Sequence, residues 1–436
     1  MTSSETSRRR YRFSEHGASD YPECGRRQTR ATAPQDPRPL TLAGIINREN
    51  LVRVFKQVRS RAGKGTGIDG YRYDDFSISE IGDAAEVIAT AIHERRWRPA
   101  PSRRKWIPKP SGGQRALDIR CHIDRLASSA VTEALSGPLE RIFLPTSFAY
   151  RPDRSVHKLL AILAHLIEQE GYFVVAQDDV SNAFPSVRIN DVMQDYASVV
   201  EDPGLLHLIG VILRGHHQES LIGIEQGDPL SPLTLNLRLH HGQDLPSLAT
   251  AGPDSPFRFR YADNAVYLCR NVTEGQCAIE SDGALLQQAG FRFKGAGNHP
   301  VHLRRSGAST TVLGHRLRLD GGSVHFGLGN QALLKLSRAL NRAHELPDSP
   351  TMAEAVVRGW IEEHGPVFEN CGLQEVLRGV LQVAAANGFR ELGSISRLTA
   401  WVDRAVTHWR EVRRGSIDQL LPQILFLRAP RRRPAP

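Results

Sequence analysis

Apolar and polar positions divide this chain into elements of two periods. Around residues 41–58, Ile45, Leu51, Val52 and Phe55 return to one face of a 3.6-residue helix. IGDAAEVIATAIHERR (81–96) is a second amphipathic helix, stopped by the prolines of WRPAP. GYFVVAQDDV (171–180) is a strand whose buried run is Phe173, Val174 and Val175, and NDVMQDYASVV and PGLLHLIGVILRG then read as helices. FRFRYADNAVYLCR (257–270) alternates on both sides of Ala262–Asp263–Asn264, the pattern of a tight hairpin that holds a carboxylate and a carboxamide at its tip. From about residue 330 the period is helical throughout. Leu333, Leu336 and Leu340 share one face, and Leu373, Val376, Leu377, Val380 and Leu381 share another in a helix ending at Gly388 as its C-cap. An α/β middle followed by an all-α end predicts an α+β chain of two packed lobes.

Composition adds limits. The chain has 436 residues, 40% apolar and 24% charged, which is ordinary globular material of several lobes. No apolar run approaches the ~20 residues of a membrane span. The N-terminus is polar and arginine-rich without an apolar signal core, so a cytoplasmic location is expected. The five cysteines include no CxxC pair, which argues against a zinc ribbon or a disulfide framework. Charge is more telling. Of the net +9, residues 1–39 hold eight Arg against five acids, and residues 428–436 hold four Arg and no acid. Both ends read as disordered basic tails. Within the rest, HERRWRPAPSRRKWIPKPSGGQR (93–115) sets eight Lys/Arg against one Glu, a local basic block that suits either a polyanion site or a solvated face.

Candidate chemistry gathers at strand ends. Asp178 and Asp179 close one strand, and since strand residues alternate faces only one of them points to the functional side. Asp263 lies 84 positions beyond Asp179. Two carboxylates so placed suit a two-metal site for phosphoryl transfer, because Mg²⁺ prefers oxygen ligands; spacing alone favours the plainer reading that they cap turns.

The motifs taken together resemble the group II intron-type reverse transcriptase family over residues ~40 to ~370. YADN resembles the family's YADD box, and DVSNAFPSV its first aspartate motif. GIEQGDPLSPLTLNL resembles QGxxLSPxLxN, KWIPKPSGGQRALDI the finger motif IPKxxGxxRPL, FLPTSFAYRPDRSVH the SxGFRPxRSxH segment, and GTGIDG the early GxDG loop. FKGAGNHP, TVLGHRLRL and RGWIEEHGPVF sit where the family has its lysine-bearing segment, its LGF-type hairpin and its RGWxxY thumb segment.

The resemblance implies a right-hand polymerase, with fingers and an antiparallel palm over 40–325 and a helical thumb over 326–427. The implied activity is RNA-directed DNA synthesis. Asp179, Asp263 and the Val180 carbonyl would hold two Mg²⁺, with Asn264 completing the catalytic box. Lys109, Arg115, Phe184, Gln226 and Gly227 would receive the dNTP, Phe184 lying under the sugar. Arg151, Arg154, Ser231, Asn236, Leu313 and Gly314 would meet template and primer, and the Arg-rich THWREVRRG the duplex. Lys294 would serve as general acid. Implied partners are an RNA template, a DNA or RNA primer, dNTPs and a cognate intron or other structured RNA, with no membrane. Asn264 departs from the family's second aspartate; an amide keeps an oxygen ligand and loses a charge, which shifts preference towards Mn²⁺. Two alternatives stay open: a catalytically impaired, maturase-like RNA-binding splicing cofactor, and a domesticated defence- or CRISPR-associated reverse transcriptase.

Overall fold

The computed structural model describes residues 40–61, 67–108, 113–295, 299–346, 348–369, 373–392 and 395–428. The expected tails, apart from Arg428, lie outside these residues.

Strands β1 (Arg103–Pro108) and β2 (Gln114–Ile119) form a separate hairpin, the fingers hairpin of the basic block. The central sheet has the order β4-β5-β3-β6, from β3 (Val174–Asp179), β4 (Phe257–Tyr261), β5 (Asn264–Cys269) and β6 (Val301–His302), with every pair antiparallel. The third sheet is β7 (Thr310–Val312), β8 (His315–Asp320) and β9 (Ser323–Leu328). The architecture is α+β, antiparallel sheets packed against helices, as expected.

Packing follows the periodicities. On the fingers side, helices α1 (Arg48–Arg61), α2 (Ile78–His93), α3 (His122–Glu140), α5 (Ile189–Ala197), α6 (Pro203–Arg214) and α7 (Ser231–Leu239) share one core with Phe184 and Val180. Ser77 caps α2 in a reciprocal capping box with Glu80. One face of the central sheet is covered by α4 (Val156–Gln169), an apolar stripe from Leu159 to Ile167. The other face, with Ala176, Ala265 and Tyr267, meets Ala278 of α8 (Val272–Gln288). Burying both faces explains why Val174–Val175–Ala176 is a continuous apolar run rather than an alternating one.

The helical end departs from its expected bounds. β9 runs through the 325/326 boundary, so the helical lobe starts at α9 (Ala332–Ala343) and continues through α10 (Ser349–Glu363) and α11 (Leu373–Ala386). Gly388 has φ +87° and follows α11, as the C-cap reading requires. Helix α12 (Ile395–Gly415) joins two cores: Leu398, Trp401, Val402 and Ala405 pack in the helical lobe, while Trp409, with Leu420, Leu421 and Ile424 beyond the helix, joins the palm core with Phe326. Arg413 reaches Glu168 of α4 at 2.6 Å, and Arg410 pairs with Glu369 at 3.1 Å. These arginines of THWREVRRG therefore fasten the C-terminal helix to the body, correcting the expectation that the stretch is a duplex-binding face.

Three histidines close the junction of palm and helical lobe. The Glu363 carbonyl lies 2.8 Å from His157 Nε2 and 3.3 Å from His315 Nε2, and His364 Nδ1 contacts the Trp360 carbonyl at 2.8 Å. Burial pushes His315 down to about 3 and His364 to about 4, reinforced for His315 by its histidine neighbours. Their folded values lie below the unfolded one. Their neutral forms therefore contribute stability in full above pH ~6.5, and it is lost as pH falls towards the folded values. Lowering the pH from 7 to 5 is expected to cost up to about 2 kcal/mol per buried histidine in denaturant unfolding. His315→Gln should flatten that dependence; an equally steep profile in the variant would rule the junction out as its source.

Candidate active site

The two key carboxylates meet because β3 and β5 pair in one register. Asp179 stands opposite Asn264, and Val180 N donates to the Asp263 carbonyl at 2.8 Å. Tyr261 pairs with Asn264 across β4–β5, leaving Ala262–Asp263 as a two-residue turn. Ala262 has φ +55°, a backbone position costly for a residue with a Cβ. Asp178 takes the other face of β3: it is buried, and its carboxylate accepts from the Asp179 and Gly295 amides at 2.7 and 3.2 Å. Of the adjacent pair, only Asp179 thus faces Asp263.

Asp263 is half-buried, and its carboxyl is raised above the usual range by burial and by the neighbouring Asp179 charge, partly offset by Lys294 and Arg115. Arg115 is exposed on β2, and Lys294 Nζ reaches Asp179 Oδ2 at 2.6 Å. Lys294 N also donates to the Asp179 carbonyl at 2.9 Å, so its segment runs along the free end of β3. Two carboxylates with their charges set against each other form an oxygen-donor set that fits a hard divalent cation. Among the described residues, no group of three or more His, Cys, Asp or Glu is placed to hold a metal ion, so further oxygens would come from backbone, water or substrate.

Asn264 Nδ2 lies 3.3 Å from Asp263 Oδ1 and 3.4 Å from the Tyr261 carbonyl. These contacts are long, but their sense is clear: the amide offers Asp263 a donor where an aspartate would add a third negative charge.

The Ala262–Asp263 turn is gripped from beneath by residues whose role the sequence did not reveal. Arg260 is buried and donates to the Ala262 carbonyl at 3.1 Å. Asp244 holds the same guanidinium with contacts of 2.9 and 2.6 Å, and Asn236 Oδ1 accepts from it at 2.8 Å. Burial would raise Asp244, yet Arg260 overrides it and holds that carboxyl down to about 2. Asp244 ends a π-helical turn (His240–Asp244) that continues α7. Asn236 is fully buried, its Nδ2 donating to the Ala149 carbonyl at 2.6 Å, and Ser231 is buried at the start of α7. Both expectations of template contact are corrected: these side chains support the turn and the helix rather than a ligand.

Arg151 is corrected likewise. It is buried, bound to Glu140 through two 2.8 Å contacts, and donates to the Ser147 carbonyl at 2.6 Å. No donor remains for a phosphate. Arg154 differs: it is half-buried and its Nε has no partner. Leu313 (φ +48°) and Gly314 (φ +87°) make the two-residue turn of β7–β8, with Gly314 exposed. Gln177 ties that hairpin to the palm through the Thr311 carbonyl at 2.9 Å.

Fingers and palm are interlocked at the QGDP loop. Gly227 has φ +125°, and a Cβ there would lie 2.5 Å from the Asp118 carbonyl oxygen, while the Gln226 carbonyl accepts from Asp118 N at 2.7 Å. This contact, more than access to a base pair, is what demands glycine at 227. Next to it, Arg120 is buried between Glu225 and Asp228, the latter at 2.8 Å, and Asp228 also accepts from Ser128 at 2.6 Å. Phe184 is 8% exposed and belongs to the core, so any contact with a sugar is limited to one edge. Lys109 lies outside the described residues.

A carboxylate pair at the strand ends of a four-stranded antiparallel sheet is an arrangement that a nucleotide-polymerase palm would use. Comparison with known proteins narrows the class. Residues 107–296 match the family model described as reverse transcriptase (RNA-dependent DNA polymerase). The Escherichia coli protein YkfC is 26% identical over 191 residues, 42% of this chain and 50% of that protein. The group II intron-encoded protein LtrA of Lactococcus lactis is 26% identical over 194 residues, 43% of this chain and 31% of LtrA. An uncharacterized 91 kDa protein in a cob intron of Schizosaccharomyces pombe is 25% identical over 203 residues, 45% of this chain and 24% of that protein. The chain thus spans half or less of the length of these relatives. Apo telomerase from Candida tropicalis aligns over 76% of this chain and 68% of its own at 12% identity, with a TM-score of 0.39, too low to support an argument. Residues 107–296 of this chain are thus similar to reverse transcriptases, and the relatives they resemble include a group II intron-encoded protein. Among the described residues, no helix is long and apolar enough to cross a membrane.

Two outcomes test the geometry. Asp244→Ala would leave Arg260 buried without its carboxylate and should destabilise the fold by about 3–5 kcal/mol in denaturant unfolding; a change under about 1 kcal/mol would refute the clamp. Asp263→Asn removes one of two opposed charges and should raise the unfolding temperature in chelator by roughly 1–2 °C. It should also abolish the rise that Mg²⁺ or Mn²⁺ gives the parent; an undiminished rise would place cation binding elsewhere.

Proposed function

We propose that this chain is an RNA-directed DNA polymerase that adds dNTPs to a primer 3′-hydroxyl. The observation that carries this reading is the β3–β5 register, which sets Asp179 against Asp263 with Lys294 and Arg115 beside them. Asp179, Asp263 and the Val180 carbonyl would hold two Mg²⁺. When bound, these ions activate the 3′-hydroxyl and neutralise charge on the leaving pyrophosphate. The remaining work falls to the chain's own groups. Arg115, on the fingers hairpin, draws the triphosphate towards Asp263, with Lys109 as its expected partner. Gln226 and Gly227 line the docking seam beneath it, and the edge of Phe184 restricts the sugar. Lys294 and Asp179 have side chains 51% and 38% exposed, and so exposed a pair is weak. The ammonium is therefore free to move to pyrophosphate and donate a proton there. Arg154, Leu313 and Gly314 would meet template and primer, with α9 to α11 as the thumb. Fingers and palm occupy residues 40–328 on this reading, and the setting is the cytoplasm.

Asn264 bears on metal choice. Its donor eases the charge on Asp263 but supplies no third anion, so Mn²⁺ should support more synthesis than Mg²⁺. Primer extension on poly(rA)/oligo(dT) with each metal tests the proposal. Extension is expected in the parent and abolished in Asp263→Ala, while Asn264→Asp should raise the Mg²⁺-dependent rate several-fold. Extension surviving Asp263→Ala would sink the site assignment. RNA binding without extension in either metal would favour the splicing-cofactor reading.

A further inference from the structure

A second charged site lies away from the carboxylate pair. Helices α5 and α6 and the segment leaving α2 enclose an open groove of about 670 Å³. Its lining includes Arg95, Arg214 and His207, with Met193 and Leu206 as apolar contacts and Asn190 and Gln194 as amides. A small cleft that shares Arg95 and His207 extends it to Trp97 and Arg98.

The cations here are not balanced by neighbouring acids. Glu94, next to Arg95, is held by Arg96. Asp202, before the first turn of α6, accepts from the Leu205 amide at 2.7 Å and the Leu42 amide at 3.3 Å. Asp191, beside Asn190, faces Arg238 at 3.7 Å and Arg188 at 4.0 Å. Among the described residues, no ion pair engages Arg95, Arg98 or Arg214. His207 is held below its ordinary value by partial burial and then by those three arginines, so their charge converges on one point. The charges acting on Asp263 are a different set, Asp179, Lys294 and Arg115.

We infer that this groove is an anion site for the phosphodiester backbone of a nucleic-acid strand lying outside the polymerisation cleft. Unpaired guanidinium groups suit phosphate oxygens through forked hydrogen bonds. The Met193–Leu206 floor and the Asn190 and Gln194 amides suit a sugar and its hydroxyls better than the carboxylates of an acidic protein. The groove has no means of reading base sequence, so binding there is set by charge and salt. The inference rests on the family's use of nucleic acid, but not on chemistry at Asp263.

The experiment measures binding of a 5′-fluorescein single-stranded 20-nucleotide RNA by anisotropy across a salt series. The full chain is compared with an Arg95→Gln/Arg98→Gln/Arg214→Gln variant. The variant should bind at least tenfold more weakly at 0.15 M salt, and the slope of log K against log salt should flatten by about 2. An Arg→Lys version at the same positions, which keeps the charge, should restore the slope. Unchanged affinity and slope, or weaker binding at an unchanged slope, would overturn the inference. Extension of a saturating, pre-annealed short primer–template should be equal in the parent and the Gln variant. A parent that binds RNA through the groove and fails to extend would defeat the polymerase proposal alone.

Discussion

The structure turns on one unfavourable contact held in place by many favourable ones. The β3–β5 register brings Asp179 and Asp263 together although their charges repel; burial first, and then that repulsion, raise the carboxyl of Asp263. A pair of this kind persists only where the backbone is over-determined. Here three devices do so. Ladder hydrogen bonds fix the strand ends, Arg260 grips the Ala262 carbonyl below the turn, and the Lys294 segment pairs along the end of β3. The cationic side chains on either side, Lys294 and Arg115, offset the repulsion without abolishing it.

Buried arginine recurs as the means of joining parts that are distant in sequence. Arg260 ties β4 to the helix bearing Asn236 and Asp244, and Arg120 ties β2 to Glu225 and Asp228 of the QGDP loop. Arg151 organises its own loop through Glu140 and backbone carbonyls. Each guanidinium has several donors in a rigid plane, so one residue can satisfy a carboxylate and a carbonyl together. Removing its carboxylate partner from such a site strands a buried charge, so these residues govern the rigidity of the palm although they are buried below the carboxylate pair.

What the sequence disclosed follows from this division. The hairpin at 257–270 was legible because its period of two is local and its turn is short. So was the choice of a strand for Val174–Asp179; alternation alone left Asp178 and Asp179 open, the motif resemblance pointed to Asp179, and the Gly295 amide, 117 residues from Asp178, holds Asp178 on the other side. Arg151, Ser231 and Asn236 were misread because motif resemblance marks a position and says nothing of burial, which depends on tertiary packing. Arg260 and Asp244 left no signal, since their pairing spans a π-helical turn and a strand. The helical end was recognisable from its 3.6-residue period. Helix α12 also reaches the palm core, where Trp409 packs against Phe326, a contact that no periodicity encodes.

The most direct test replaces the physiological cation with Fe²⁺ and maps where hydroxyl radicals generated at the bound ion cut the backbone. If Asp179 and Asp263 share a cation, cleavage will fall at both the 178–180 and the 262–264 segments, and Asp179→Asn will remove the two cuts together. Cleavage confined to one segment, or cuts at 262–264 that persist in Asp179→Asn, would contradict the shared site.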